Sequence, residues 1–185
     1  MRELSLSQGW LLKVRNHSLS LADELSDPQG WLSAEVPGIA HDTLWQAGQL
    51  PSPYESPSLA KLSPTFDQDF IYRLRFSVPE PLRQGPLRLR FEGLDTFAEI
   101  WLNGHKLAQT DNMFCEYSLP CEDKLCDGEQ DLVIVFSSAL RVGKERQARS
   151  GVRKVWNGDP CRVYVCKAQY HFGWDFGPSF LSTGP

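Results

Sequence analysis

The chain contains no apolar run approaching the roughly 18 residues that a membrane-spanning helix needs. Its first residues lack a basic stretch followed by an apolar block, so no secretory signal is visible and a cytoplasmic protein is the expectation. Internal repeats and a dividing linker are missing as well, which makes residues 1–185 a single domain. A chain of that length can bury about 70% of the surface it exposes when unfolded. Charge of one sign never dominates: 19 Lys and Arg against 23 Asp and Glu give a net charge of −4, and neither nucleic acid nor an anionic membrane is expected as a partner. Cysteine is sparse and odd in number: five, in a chain without a visible signal, read as free thiols rather than a disulfide framework. The four-residue gaps of Cys121–Cys126 and Cys161–Cys166 invite a zinc site, but structural zinc sites flank their ligands with tight turns. Residues 161–166, Cys-Arg-Val-Tyr-Val-Cys, instead alternate like a strand that sends its two thiols to opposite faces, so neither a metal nor a cofactor is expected. His41-Asp42 supplies two members of a hydrolase triad, yet no Gly-x-Ser-x-Gly elbow exists to supply the third.

What is present is period-2 alternation. Ile71 to Val78 places Leu74, Phe76 and Val78 on one face and Arg73, Arg75 and Ser77 on the other. Leu87, Leu89 and Phe91 repeat the pattern against Arg88, Arg90 and Glu92, and the four arginines read as solvated strand faces. Phe97 to Leu102 is apolar on both faces except for Glu99, as an inner strand requires; a buried Glu99 would need a partner. Asn103-Gly104 is the strongest hairpin signal in the chain, with His105 to Thr110 returning. Leu132 to Phe136 is a continuous apolar run suited to a strand covered on both sides. Helical signals are few. Ile39 to Ala47 predicts a short helix stopped by Gly48 and Pro51, while Ala139 to Ser150, with Gly143 inside it, fits either a frayed helix or a mobile excursion. Residues 51–68 read as a long proline-rich loop over the outside of a sheet. About eight short strands with long connections predict an all-β, two-sheet sandwich of jelly-roll type.

The most distinctive stretch is Lys167-Ala168-Gln169-Tyr170-His171-Phe172-Gly173-Trp174-Asp175-Phe176-Gly177-Pro178. An indole offers a flat apolar face that stacks on the C–H face of a pyranose. An adjacent carboxylate offers two acceptor oxygens for neighbouring sugar hydroxyls. Gly173 and Gly177 bracket the pair, as a tight loop presenting it would need. Trp174 and Asp175 are therefore the candidate carbohydrate contacts; His171 either touches substrate or braces the loop.

The same stretch resembles the Gly-Trp-Asp-Trp-Gly-Pro signature of the β-mannosidases of glycoside hydrolase family 2, with Phe176 in place of the second Trp. Phe176 keeps the ring and loses the indole N–H. Val36-Pro37-Gly38-Ile39-Ala40-His41-Asp42 resembles the family's Val-Pro-Gly-x-x-His-x-Asp element, its last residue out of phase by one. Asp69-Phe70-Ile71-Tyr72-Arg73 is similar to the Asp-Trp-x-Tyr-Arg strand, and Phe91 to Gly104, Phe-Glu-Gly-Leu-Asp-Thr-Phe-Ala-Glu-Ile-Trp-Leu-Asn-Gly, matches almost letter for letter, followed by Asp111-Asn112-Met113-Phe114. The start, from Met1-Arg2-Glu3-Leu4 to Gln8-Gly9-Trp10, is most similar to the intracellular fungal branch.

The resemblance implies a galactose-binding-domain-like sandwich, the family's non-catalytic first domain. It implies that Trp174 and Asp175 reach into the active site of a separate barrel domain, absent here, and line the subsite for terminal β-linked mannose. A mannose-containing oligosaccharide and that barrel are then the expected partners. Both of the family's catalytic carboxylates lie in the barrel; the acid/base one belongs to an Asn-Glu dipeptide, and no Asn-Glu occurs in these residues. Asp95 and Asn103, in the best-matching motif, read as structural residues that fix the turn before an inner strand and the hairpin. Phe180-Leu181-Ser182-Thr183-Gly184-Pro185 stands where the family runs through Thr-Ser-Gly-Ile-Trp into a last strand, so a C-terminally truncated sandwich is the expectation. Two other readings stay open beside the glycosidase domain: a free-standing weak carbohydrate-binding module, and a truncated product without function.

Overall fold

The computed structural model describes residues 3–52, 62–173, 175 and 179–185. Along the described residues run β1 (Trp10–Val14), α1 (Leu21–Ser26), β2 (Leu32–Ala34), α2 (Ala40–Gln46), β3 (Phe70–Ser77), α3 (Glu80–Arg83), β4 (Arg88–Phe91), β5 (Phe97–Leu102), β6 (His105–Thr110), β7 (Tyr117–Pro120), β8 (Glu129–Ser137) and α4 (Ala139–Ser150). One antiparallel sheet has the order β2-β1-β3-β8-β5-β6, and β4 pairs with β7 in a second, two-stranded sheet. The longest ladder joins β3 to β8 from Phe70↔Phe136 to Ser77↔Glu129, and β8 continues onto β5 with Phe97↔Ser137 through Leu102↔Leu132.

Alternation decides which side chains form the core. Leu12, Phe70, Tyr72, Leu74, Ala98, Ile100, Leu102, Leu132, Ile134 and Phe136 point from the large sheet into one buried cluster that also takes Leu89 of β4 and Cys121. The expected two-sheet sandwich is thus present. On the opposite face Ile71, Val133 and Val135 lie under Leu21, Leu25, Trp31 and Trp101. That cover explains why Ile71 to Val78 departs from the expectation at Arg73. Arg73 is half-buried rather than solvated: it forks onto Asp131 at 2.8 and 2.7 Å, donates to the Leu25 carbonyl at 2.7 Å and lies against Trp31. Arg75, Arg88 and Arg90 are exposed as expected. Glu99 is half-buried on the outer face and pairs with Lys106 on β6.

The hairpin forms where Asn103 and Gly104 stand, with φ of 50° and 79°. Those are the two left-handed positions a type I′ turn requires. Asn103 also donates to the Lys124 carbonyl (2.8 Å) and to Gln130 Oε1 (2.9 Å), while its own Oδ1 accepts from the Asp131 amide at 2.8 Å, so one residue fixes the turn and the start of β8 together.

Ala139–Ser150 is a continuous helix. Ser138 caps it, accepting from the Arg141 amide at 3.0 Å, and Arg141 in turn forks onto buried Asp69, whose Oδ1 also accepts from the Ser138 amide at 2.7 Å. Gly143 is there because the helix lies close on the segment below: a Cβ at that position would meet Val165 Cγ2 at 2.9 Å and Cys161 Sγ at 3.2 Å. That segment is not the strand expected over Cys161 to Cys166. Pro160–Tyr164 winds into a 3-10 turn, with Asp159 capping it by accepting from the Cys161 amide, which buries Cys161 under α4 and leaves Cys166 exposed. Cys161, Val165, Phe172, Leu181, Phe97, Ala139, Leu62 and Phe66 make a second core at this end of the sandwich. Part of the expected 51–68 loop therefore packs inward; residues 53–61 lie outside the described residues.

Candidate functional site

The second core supports the C-terminal segment that carries the candidate contacts. A 3-10 turn at Gln169–Phe172 presents His171, and Gly173 follows at φ 98°. Asp175 is exposed and takes φ 49°, a left-handed conformation that Asp tolerates better than most residues because of its short polar side chain. The Phe180 amide donates to the His171 carbonyl at 2.8 Å, so the chain on either side of Asp175 is drawn together. Trp174 lies outside the described residues, as do Phe176, Gly177 and Pro178.

Beneath His171 is a charged network buried in the protein. Lys167, 1% exposed, directs its ammonium at Asp95 Oδ2 and donates to the Ser182 carbonyl at 2.9 Å and to Ser182 Oγ at 3.1 Å. Three donors thus meet three acceptors, the condition for burying an ammonium. The Ser182 hydroxyl donates to Asp95 Oδ2 at 2.6 Å, and His171 Nδ1 lies 3.2 Å from the same Oγ. Burial pulls the Lys167 pKa down from its ordinary value, against the opposing attraction of Asp95. Burial, then the neighbouring Lys167 charge, lowers His171 to about 4, with Asp95 opposing, so its imidazole is neutral at pH 7.

The last residues are seated by the same network. Asp95 and Gly184 exchange amide–carbonyl bonds of 3.0 and 3.2 Å, the Ala40 amide donates to the Thr183 carbonyl at 2.8 Å, and the Gly38 amide donates to the Pro185 carbonyl at 3.2 Å. Gly184 has no room for a side chain: a Cβ would come within 2.2 Å of the Gly38 carbonyl oxygen. His41, the neighbour of this seam, is buried among Phe66, Phe70 and Phe180 with neither ring nitrogen hydrogen-bonded to any described residue. Among the described residues no hydroxyl is hydrogen-bonded to its ring, so the geometry lends the triad reading no support.

The sequence singles out His171 and Asp175 as candidates and gives no role to Lys167 and Ser182, which the structure places beneath His171. Asp95 was legible as a turn residue and not as the counter-ion of a lysine 72 positions away. Among the described residues no group of three His, Cys, Asp or Glu is placed to hold a metal ion, and no helix is long and apolar enough to cross a membrane. A recess of about 390 Å³ beside α4, lined by Phe97, Gln109, Asp111, Ser137 and Arg146, includes neither His171 nor Asp175.

A two-layer antiparallel sandwich is the architecture expected of a galactose-binding-like domain. Residues 10–185 match the model of the glycosyl hydrolase 2 galactose-binding domain-like family, and the chain belongs to that family. Its similarity lies on the β-mannosidase side. Beta-mannosidase B of Aspergillus oryzae is 34% identical over 184 residues, covering 97% of this chain and 21% of that protein. Beta-mannosidase B of Thermothelomyces thermophilus is 35% identical over 155 residues, covering 82% of this chain and 18% of the relative. The crystal structure of beta-D-mannosidase from Dictyoglomus thermophilum superposes with a TM-score of 0.86 at 34% identity, over 100% of this chain and 22% of that one. The chain is thus a β-mannosidase-type domain spanning about a fifth of the length of the relatives it matches.

Proposed function

We propose that this chain serves as the non-catalytic, sugar-engaging domain of a retaining β-mannosidase-type glycosidase acting on terminal β-linked mannose in the cytoplasm. The observation that carries the reading is Asp175, exposed on a left-handed turn within a Gly-Trp-Asp sequence, in a chain 34% identical to beta-mannosidase B over nearly its whole length. A carboxylate there accepts hydrogen bonds from two adjacent sugar hydroxyls, and Trp174 supplies an indole for the C–H face of the ring. Binding energy gathered at hydroxyls remote from the scissile bond favours the distorted sugar of the transition state. The two carboxyl groups that a retaining glycosidase holds about 5 Å apart are supplied by a separate barrel domain.

Incubation of the 185-residue chain alone with an aryl β-mannoside is expected to give no turnover above buffer. Clear turnover that disappears in Asp175→Ala contradicts the assignment of chemistry to another domain.

A further inference from the structure

Ser182 Oγ carries a single proton, and the network decides where it goes. The proton is committed to Asp95 Oδ2 at 2.6 Å, and Lys167 donates to Ser182 Oγ at 3.1 Å. A third group at 3.2 Å, His171 Nδ1, can then bond to that oxygen only as a donor. Neutral His171 therefore holds its proton on Nδ1 and leaves Nε2 as an acceptor.

We propose that Asp95, Lys167 and Ser182 form a positioning clamp that fixes the chain on either side of Asp175 and the tautomer of His171. The clamp joins Lys167, ahead of His171, to Ser182, beyond Phe180, and Asp95 ties both to the turn before β5. Its register cannot slide. A slip of one residue takes the Ser182 hydroxyl and carbonyl off the buried ammonium and breaks the Asp95↔Gly184 bridge. A buried ion pair is weak evidence for stability, but it is well suited to fixing one arrangement against its neighbours. With the ends fixed and the neck closed by the bond from the Phe180 amide to the His171 carbonyl, Asp175 is presented from a defined base. The sugar-contact role of Asp175 rests on the proposed function above; the clamp itself does not.

The test uses the 185-residue chain labelled with nitrogen-15, the Ser182→Ala variant, and a double variant, Asp95→Asn with Lys167→Met, in which neither charge is left unpaired. Long-range nitrogen–proton correlations at pH 7 are expected to show His171 as the Nδ1–H tautomer in the parent and as the Nε2–H form in Ser182→Ala. The Phe180 amide is expected to exchange at least tenfold faster in both variants, while amides of β8 keep their protection. An Nε2–H tautomer in the parent overturns the proposal. So does unchanged Phe180 exchange in a folded variant. Titration with mannose separates the two readings. A saturable shift of the Asp175 amide that weakens several-fold in Ser182→Ala supports both, and the same affinity in parent and variant overturns the positioning claim. No shift in the parent removes the sugar reading and leaves the clamp to be judged on tautomer and exchange.

Discussion

His41 packs its imidazole against Phe66, Phe70 and Phe180 with no hydrogen bond to any described residue. Burial, and then repulsion from Lys167, pushes its pKa down from 6.5 to about 4. The unfolded chain takes up the proton near 6.5 and the folded chain only near 4, so stability present above pH 6.5 is lost as the pH falls through that window. A shift of this size corresponds to about 3 kcal/mol across the window. His171 adds to the loss in the same direction and by less, because it is only half-buried. Urea melts at pH 7 and pH 4.5 are expected to show the decline, and His41→Phe, which removes the titrating group from an aromatic nest, is expected to flatten most of it. An equally steep decline in that variant would place the proton uptake elsewhere. Residue-scale legibility was uneven for a physical reason. Asn103-Gly104 announces itself because a type I′ turn restricts its two positions locally. Lys167 does not, since a lysine is ordinarily a surface residue and its partner is far away in the chain.

At the scale of elements, α4 shows how packing overrides propensity. Replacing Gly143 by Ala gains about 1 kcal/mol of intrinsic helix preference. The added methyl meets Val165 Cγ2 at 2.9 Å and the Cys161 carbonyl oxygen at 3.3 Å, and overpacking of this kind costs about 1–3 kcal/mol. The second effect wins: Gly143→Ala is expected to lower stability by about 1 kcal/mol, read as a lower urea midpoint with unchanged slope, and a raised midpoint would show that the 3-10 turn yields easily. Both the helix and that turn carried readable signals, Ser138 before one and Asp159-Pro160 before the other. Gly143 obscured the first, and the alternation of Cys-Arg-Val-Tyr-Val-Cys masked the second. The strands were more legible because a half-buried sheet imposes its period on many consecutive residues. Arg73 was the exception, because α1 and Trp31 cover a face that the strand alone marks as solvated.

At the scale of the whole molecule, the described residues make a large sheet, a small sheet and a second core that holds Phe172 and Leu181, on either side of Asp175. Its burial pattern makes a direct prediction for the five thiols. Cys115, Cys126 and Cys166 are exposed, whereas Cys121 and Cys161 are buried and desolvation raises both, Cys161 to about 12. A thiol-reactive chromophore is expected to label three cysteines promptly in the native protein and the remaining two only after unfolding; prompt labelling of all five would contradict the packing of α4 on Cys161. Sandwich architecture was legible from the alternating strands, and family from motifs in a fixed order along the chain. The candidate site was legible only in part: Asp175 and His171 lie in a distinctive string, whereas the buried base beneath them joins Lys167 and Ser182, at either side of that string, to Asp95, 72 residues before Lys167.

The proposed sugar contact is tested most directly by a nitrogen-15 titration of the chain with mannose, followed at the Asp175 amide. An isolated contact of this size is expected to bind with a dissociation constant in the millimolar range, ~4 kcal/mol of binding free energy. The proposed sugar contact predicts a saturable shift at Asp175 and His171 that is absent in Asp175→Ala. No shift at tens of millimolar mannose (about tenfold above that range), or an equal shift in Asp175→Ala, would contradict it.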